Sequence, residues 1–163
     1  MNWHEILEMA SFVVTVVGLP FGVWVFMKQE RAERENEEEE AYLLLANAYN
    51  DFLKVVLANS DLQLRTAPAL ENPTAEQRER MLTIFEMLVS LFERAYLVAY
   101  KDEMSELERR RWNSWDDYMR DWCVRDDFFA SLPHLLRGED AGFQAYIQRV
   151  AQEVRRGMAQ LCG

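Results

Sequence analysis

MASFVVTVVGLPFGVWVFM, residues 9–27, contains no charged side chain; Glu8 bounds it on one side and Lys28 on the other. At about 1.5 Å per residue, a helix of this length spans roughly 28 Å, close to the ~30 Å hydrocarbon core of a bilayer. The stretch reads as a single transmembrane helix, with the rest of the chain in water. Two other readings fit less well. A cleavable signal peptide needs a basic leader and a small-residue cleavage site, yet residues 1–8 (MNWHEILE) hold no Lys or Arg. A buried core helix of a soluble protein shows a polar face, and this one offers only Ser11 and Thr15.

The flanks give the span a direction. Lys28, Arg31 and Arg34 follow it and no basic residue precedes it. Lys and Arg are retained on the cytoplasmic side, whereas neighbouring Glu counts for little. Residues 1–8 are therefore expected outside, residues 28–163 in the cytoplasm, and the protein in the inner (plasma) membrane. Trp3 and Trp24 fall near the two headgroup layers, where amphipathic rings concentrate. One helical face carries Ser11, Thr15, Gly18 and Gly22, and Gly18 with Gly22 forms the G-x-x-x-G spacing that lets membrane helices approach closely. These four residues are the candidate association face, for a second copy or for another membrane helix. Pro20 lies between the glycines and removes a backbone donor, so a kink is expected there.

Beyond the span, residues 28–40 (KQERAERENEEEE) contain no helix breaker. Glu30 with Arg34 makes a favourable i,i+4 pair, and the segment reads as a charged helical stalk continuing from the membrane. Glu37 to Glu40 are consecutive and fan around the helix, so they describe a solvated surface better than a converging cation site.

Residues 41–163 read as a helical bundle of four or five helices joined by turns. Tyr42, Leu45, Tyr49, Phe52, Leu53 and Val56 form one apolar stripe. Residues 60–73, with Pro68 and Pro73, read as a loop. Thr74 with Gln77 makes a capping box that opens a helix running to about Lys101. Met81, Phe85, Leu88, Phe92, Ala95 and Ala99 lie on one face of it, and Leu82, Val89 and Tyr96 on a second, which places it centrally. Ser105 with Glu108 is a second box. It opens a helix carrying Trp112, Trp115, Met119 and Trp122 at spacings of three, four and three. This is a heavy apolar load, read as a core seam with an exposed partner groove as the alternative. A short helix over Asp126 to Leu136 stops at Gly138. The last helix begins near Asp140 and buries Phe143, Ile147, Val150, Val154 and Leu161. The fold class is all-α.

Composition narrows the function. The 163 residues are half apolar and 12% aromatic, with six Gly, four Pro and a formal charge of −10. Such a chain folds, and its acidic surface does not favour nucleic acid. Arg109, Arg110 and Arg111 are too few to reverse that and read as a solvated helix face. Cys123 and Cys162 lack metal or redox spacing and read as reduced thiols, with Cys123 buried. His4 and His134 fall on opposite sides of the membrane. There is no E-x-x-H, phosphate loop, G-x-S-x-G or H-E-x-x-H, and a Cys123–His134 nucleophile has no supporting context. Glu86, Glu93 and Arg94, with Asp116, Asp117 and Asp121, form the richest polar set. A salt-bridge network through Arg94 or Arg120 is the leading reading, and a carboxylate cation site the alternative. No cofactor is expected.

The Phe92-Glu93-x-x-Tyr96 run, the Trp112-x-x-Trp115 pair and the distal Phe143 resemble small bacterial membrane-anchored proteins of uncharacterised function. In those, one N-terminal span leads into a compact cytoplasmic helical domain. The resemblance implies an architecture and no activity. The sequence thus points to a non-enzymatic scaffold, sensor or accessory subunit, self-associated or held by a membrane-protein partner. The alternatives are an oligomerising membrane effector of a stress or phage-defence response and a carboxylate-dependent metal-binding protein.

Overall fold

The computed structural model describes the backbone of residues 19–66 and 68–161; the side chains of 19–23, 31, 32, 34, 35 and 161 fall outside the description as well. All regular elements among the described residues are helical. They are α1 (Leu19–Ala58), a 3-10 turn (Ser60–Leu62), α2 (Ala75–Ala99), α3 (Glu106–Cys123), α4 (Asp126–Leu135) and α5 (Ala141–Leu161). The chain forms two compact units, Met1–Leu43 and Leu44–Gly163.

In the first unit, residues 9–18 of the expected span lie outside the described residues, and 19–27 are helical. Among the described residues no helix is long and apolar enough to cross a membrane. Trp24, Val25, Phe26 and Met27 are exposed, at 57%, 41%, 67% and 48%, and Lys28 Nζ stands 5.6 Å from the centroid of the Trp24 ring. Glu37 to Glu40 are exposed around the helix, as a solvated surface requires.

The second unit is built around one core. On α1, Leu45, Tyr49, Phe52 and Val56 are buried, while Leu53 is half-buried. Their spacing of four, three and four makes one stripe. Both expected capping boxes are present. Thr74 Oγ1 accepts from Gln77 N while Gln77 Oε1 accepts from Thr74 N, and Ser105 and Glu108 do the same at α3. At α3 the Lys101 ammonium and the Ser105 donors hold the Glu108 carboxyl down at about 2, so this cap stays charged through ordinary acid conditions.

Helix α2 packs against α3, α4 and α5. Met81, Ile84, Phe85, Leu88, Val89, Leu91, Phe92 and Ala95 are buried, so it is central, as its two apolar faces predict. Leu82 departs from that pattern and is 40% exposed. Residues 60–64 are packed more closely than a loop reading implies. Leu62 and Leu64 are buried, and Arg80 clamps the turn through Asn59 Oδ1 at 2.9 Å and Asp61 Oδ2 at 2.6 Å. After α4 the chain reverses at Gly138, whose φ of +91° is a conformation glycine adopts without a Cβ penalty.

Trp112, Trp115 and Trp122 correct the alternative of a partner groove, because the bundle itself covers them to 5%, 3% and 2% exposure. Tyr49 meets the Trp115 ring edge-on at 5.7 Å and stacks on Tyr118 at 4.3 Å, and Phe52 meets Trp122 at 5.7 Å. Trp115 and Trp122 form the seam that joins α1 to α3, while Trp112 packs on Tyr96, Tyr100 and Tyr146. Each such side chain contributes about 1.5–3 kcal/mol on burial. Exposing them to bind a partner would unmake the core.

Candidate functional site

Two clusters of polar groups form where α2, α3 and α5 meet. The first is a buried relay. Trp112 Nε1 donates to Tyr146 Oη at 2.9 Å, and Tyr146 Oη donates to Asp116 Oδ1 at 2.6 Å. Arg120 then bridges Asp116 Oδ2 (Nε, 2.6 Å) and Glu153 Oε2 (Nη2, 2.9 Å). Helical spacing explains the set. Trp112, Asp116 and Arg120 follow one another at i,i+4 along α3, and Tyr146 and Glu153 are seven apart on α5. Burial, helped by the Asp116 carboxylate that accepts its proton, raises the Tyr146 phenol well above its ordinary value. It stays protonated and acts as a donor.

Around this relay Tyr96, Tyr100, Trp112 and Tyr146 pack ring against ring. Tyr96 stacks on Tyr100 at 4.7 Å, and Tyr100 meets Trp112 and Tyr146 edge-on, both at 5.2 Å. Arg149 covers the outer face of Tyr146, with Cζ 5.0 Å from the ring centroid.

The second cluster lies at the start of α5. Asp140 Oδ1 accepts from Phe143 N at 2.9 Å, which makes Asp140 the N-cap. In a capping box the third helical residue is Glu or Gln and returns a bond to the N-cap N–H. Here that residue is Phe143, and Glu93 of α2 supplies the missing acceptor. Asp140 N donates to Glu93 Oε1 at 2.5 Å. The box is completed in trans. The Glu139 carboxyl meets Glu93 through a side-chain hydrogen bond, and that bond, with burial and the adjacent charge, pushes it up to about 7. Gly142 belongs to the same joint. A Cβ there would lie 2.9 Å from Tyr96 Oη and 3.0 Å from Asp140 Oδ1.

These positions settle the polar reading of the sequence. The salt-bridge network exists through Arg120, while Arg94 Nε donates to Ser90 O of its own helix. Glu86, Asp117 and Asp121 are exposed, Glu93 caps α5, and Asp116 serves Tyr146 and Arg120. The carboxylates do not converge, and no group of three or more His, Cys, Asp or Glu among the described residues could hold a metal ion. Cys123 is fully buried and its thiol is pushed up to about 12, whereas His134 is exposed; they do not form a nucleophile–base pair. Of the association face, Ser11, Thr15 and Gly18 lie outside the described residues, and Gly22 is described as helical backbone alone. His4 and Cys162 also lie outside.

Tyr146, Glu139, Gly142 and Glu153 were not singled out by sequence, and Asp140 only as the start of the last helix. Tyr146 follows Phe143 by three on the buried face of α5, so its burial was readable. The absent box acid at Phe143 was a further signal, because it leaves the Asp140 N–H in search of a distant acceptor. Comparison with known protein families, with curated proteins and with solved structures finds no match to this chain.

The joint satisfies donors and acceptors internally. The hollow beside it, about 290 Å³, is lined by Tyr96, Leu97, Tyr100, Lys101 and Asp102. The arrangement can hold three helices in register and respond to protons.

Proposed function

We propose that this chain is a single-pass, membrane-anchored helical protein that acts by assembly, as a scaffold or accessory subunit, and not by catalysis. The observation that carries the reading is the run of exposed apolar side chains at Trp24, Val25, Phe26 and Met27. It continues the uncharged stretch that begins at Met9 and stops at Lys28. Consecutive bulky apolar side chains on all sides of a helix need an apolar surrounding. Lipid supplies one, and Trp24 beside Lys28 suits the headgroup boundary. Lys28, Arg31 and Arg34 support a cytoplasmic bundle at the inner membrane. The association face then falls to Ser11, Thr15, Gly18 and Gly22, with a second copy or another membrane helix as the partner.

Affinity purification of cross-linked full-length protein from native membranes tests this reading, together with protease digestion of sealed vesicles. Membrane retention after alkaline wash, cross-linked species lost in a G18I/G22I variant, and digestion of the bundle only from the cytoplasmic side are the expected results. Release by alkaline wash overturns anchoring. Digestion only from the extracytoplasmic side overturns the orientation, and a monomer without partners overturns assembly.

A further inference from the structure

At the end of α3 remote from Trp112, the segment after the 3-10 turn and the α3–α4 connection enclose a hollow of about 220 Å³. Leu64, Trp122 and Val124 give it apolar walls, and its polar groups come from Arg65, Thr66, Asp121 and Arg125. The volume bounds the occupant. A cavity of ~150 Å³ takes one benzene ring, and drug-sized ligands need ~300 Å³ or more, so a molecule between the two in size fits. The polar groups divide into two kinds. Arg125 and Thr66 are committed within the fold. Nε and Nη2 of Arg125 donate to Asp127 and its Nη1 to the Gln63 and Thr66 carbonyls, while Thr66 Oγ1 donates to Gln63 O. Arg65 and Asp121 are exposed and form no ion pair, with each other or with another side chain among the described residues. The Arg65 Cζ stands 5.9 Å from the centroid of the Trp122 ring, which places the guanidinium over the apolar wall. An uncommitted cation and an uncommitted anion thus line the same small apolar space.

We propose that this hollow binds a free apolar α-amino acid, with its carboxylate on Arg65, its α-ammonium on Asp121 and its side chain against Leu64, Trp122 and Val124. The charges select the ligand class. A simple anion gains Arg65 but meets Asp121, and a simple cation meets the reverse, because like charges brought together are unfavourable. A zwitterion answers both. Guanidinium and carboxylate match as planar forks, which gives the Arg65 end its geometry. The apolar walls then favour an aliphatic or aromatic side chain over a charged one, since burying an unpaired charge there is costly. Such a ligand ties Arg65, in the segment that Arg125 fastens, to the end of α3. It binds the folded bundle alone and therefore stabilises it. The inference does not depend on the membrane reading.

Calorimetric titration of the full-length protein in mild detergent, with saturation-transfer NMR on the same samples, tests it. The probes are L-leucine, L-phenylalanine, N-acetyl-L-leucine, which lacks the ammonium, and L-leucinamide, which lacks the carboxylate. At least one free amino acid should bind saturably, and each capped form should bind several-fold more weakly than L-leucine. R65Q should weaken L-leucine and N-acetyl-L-leucine several-fold and leave L-leucinamide unchanged. D121N should weaken L-leucine and L-leucinamide and leave N-acetyl-L-leucine unchanged. Saturable binding of neither free amino acid overturns the proposal. So does binding that both variants leave intact, or capped forms that bind as tightly as L-leucine. Should either variant fail to fold, the ranking of L-leucine against its two capped forms on the natural protein decides alone.

Discussion

The backbone N–H of Asp140 donates to Glu93 Oε1 at 2.5 Å, across 47 positions of sequence. Helices α2 and α3 close their capping boxes within one turn; α5 borrows its acid from α2. A local feature of helix initiation thereby becomes a tertiary contact, and the start of α5 cannot form fully until α2 is in place.

Glu93→Ala should therefore destabilise the bundle by about 1–2 kcal/mol, the scale of a lost cap and of a hydrogen bond to a charged acceptor. The cost should be larger at pH 6 than at pH 8. At pH 6 the substitution also removes the acceptor for the Glu139 proton, whereas at pH 8 it relieves the repulsion between two carboxylates. Urea unfolding at the two pH values measures the difference.

Gly142 is the second feature of this joint with a definite consequence. Alanine in a helix interior ordinarily gains about 0.5–1 kcal/mol over glycine. Here its Cβ would come within 2.9 Å of the Tyr96 hydroxyl. Moving that ring aside would disturb its stacking on Tyr100 and its contact with Phe143. Overpacking typically costs about 1–3 kcal/mol, so Gly142→Ala should destabilise by about 1 kcal/mol net. Gly157, with nothing within 4 Å of its Cβ position, should show the opposite sign, and thermal melts of the two variants decide.

The buried relay predicts coupling. Tyr146→Phe leaves Trp112 Nε1 without its acceptor and Asp116 Oδ1 without its donor. About 2 kcal/mol is expected, since each buried unsatisfied group costs about 1–3 kcal/mol and Asp116 keeps Arg120. The double variant with Asp116→Asn should lose less than the sum, with a coupling energy of about 0.5 kcal/mol or more in a double-mutant cycle.

Much of the architecture was legible because short-range chemistry sets it. Thr74 with Gln77 and Ser105 with Glu108 mark helix starts within four residues, and the Leu45–Val56 and Trp112–Trp122 stripes declare their buried faces by period. What could not be read was which polar residues meet across elements. Glu93 and Asp116 both looked like members of one carboxylate set, yet Glu93 faces the end of α5 and Asp116 faces its middle. Arg125 carried no sequence signal at all. A lone arginine between two helices reads as surface, and only tertiary packing buries it.

Burial dictates the chemistry of Cys123. Its thiol is fully covered and pushed up to about 12, and thiolate is the reactive form. In a C162S variant, where Cys123 is the sole thiol, maleimide labelling at pH 7 should be slow in the folded protein and rapid in urea. Fast labelling without denaturant would show that the α3 end of the core opens readily.

Arg125 should be the most sensitive side chain in the bundle. It is 3% exposed, and its guanidinium meets Asp127 through Nε at 3.1 Å and Nη2 at 2.7 Å. Nη1 reaches the carbonyls of Gln63 at 2.8 Å and Thr66 at 2.5 Å. Gln63 holds a left-handed φ of 49° between the buried Leu62 and Leu64, and its carbonyl also accepts from Thr66 N and Thr66 Oγ1. Arg125→Met would take the cationic partner from Asp127, which keeps only the Phe128 N–H, and the guanidinium donor from the Thr66 carbonyl. Removing one member of a buried pair typically costs about 3–5 kcal/mol. Arg125→Lys should recover only part of it, since one ammonium cannot reproduce a planar fork that serves a carboxylate and two carbonyls at once. Chemical denaturation ranks the variants. If Arg125→Lys matched the natural protein, charge alone would fasten the 60–66 segment, and the fork geometry would carry no stability.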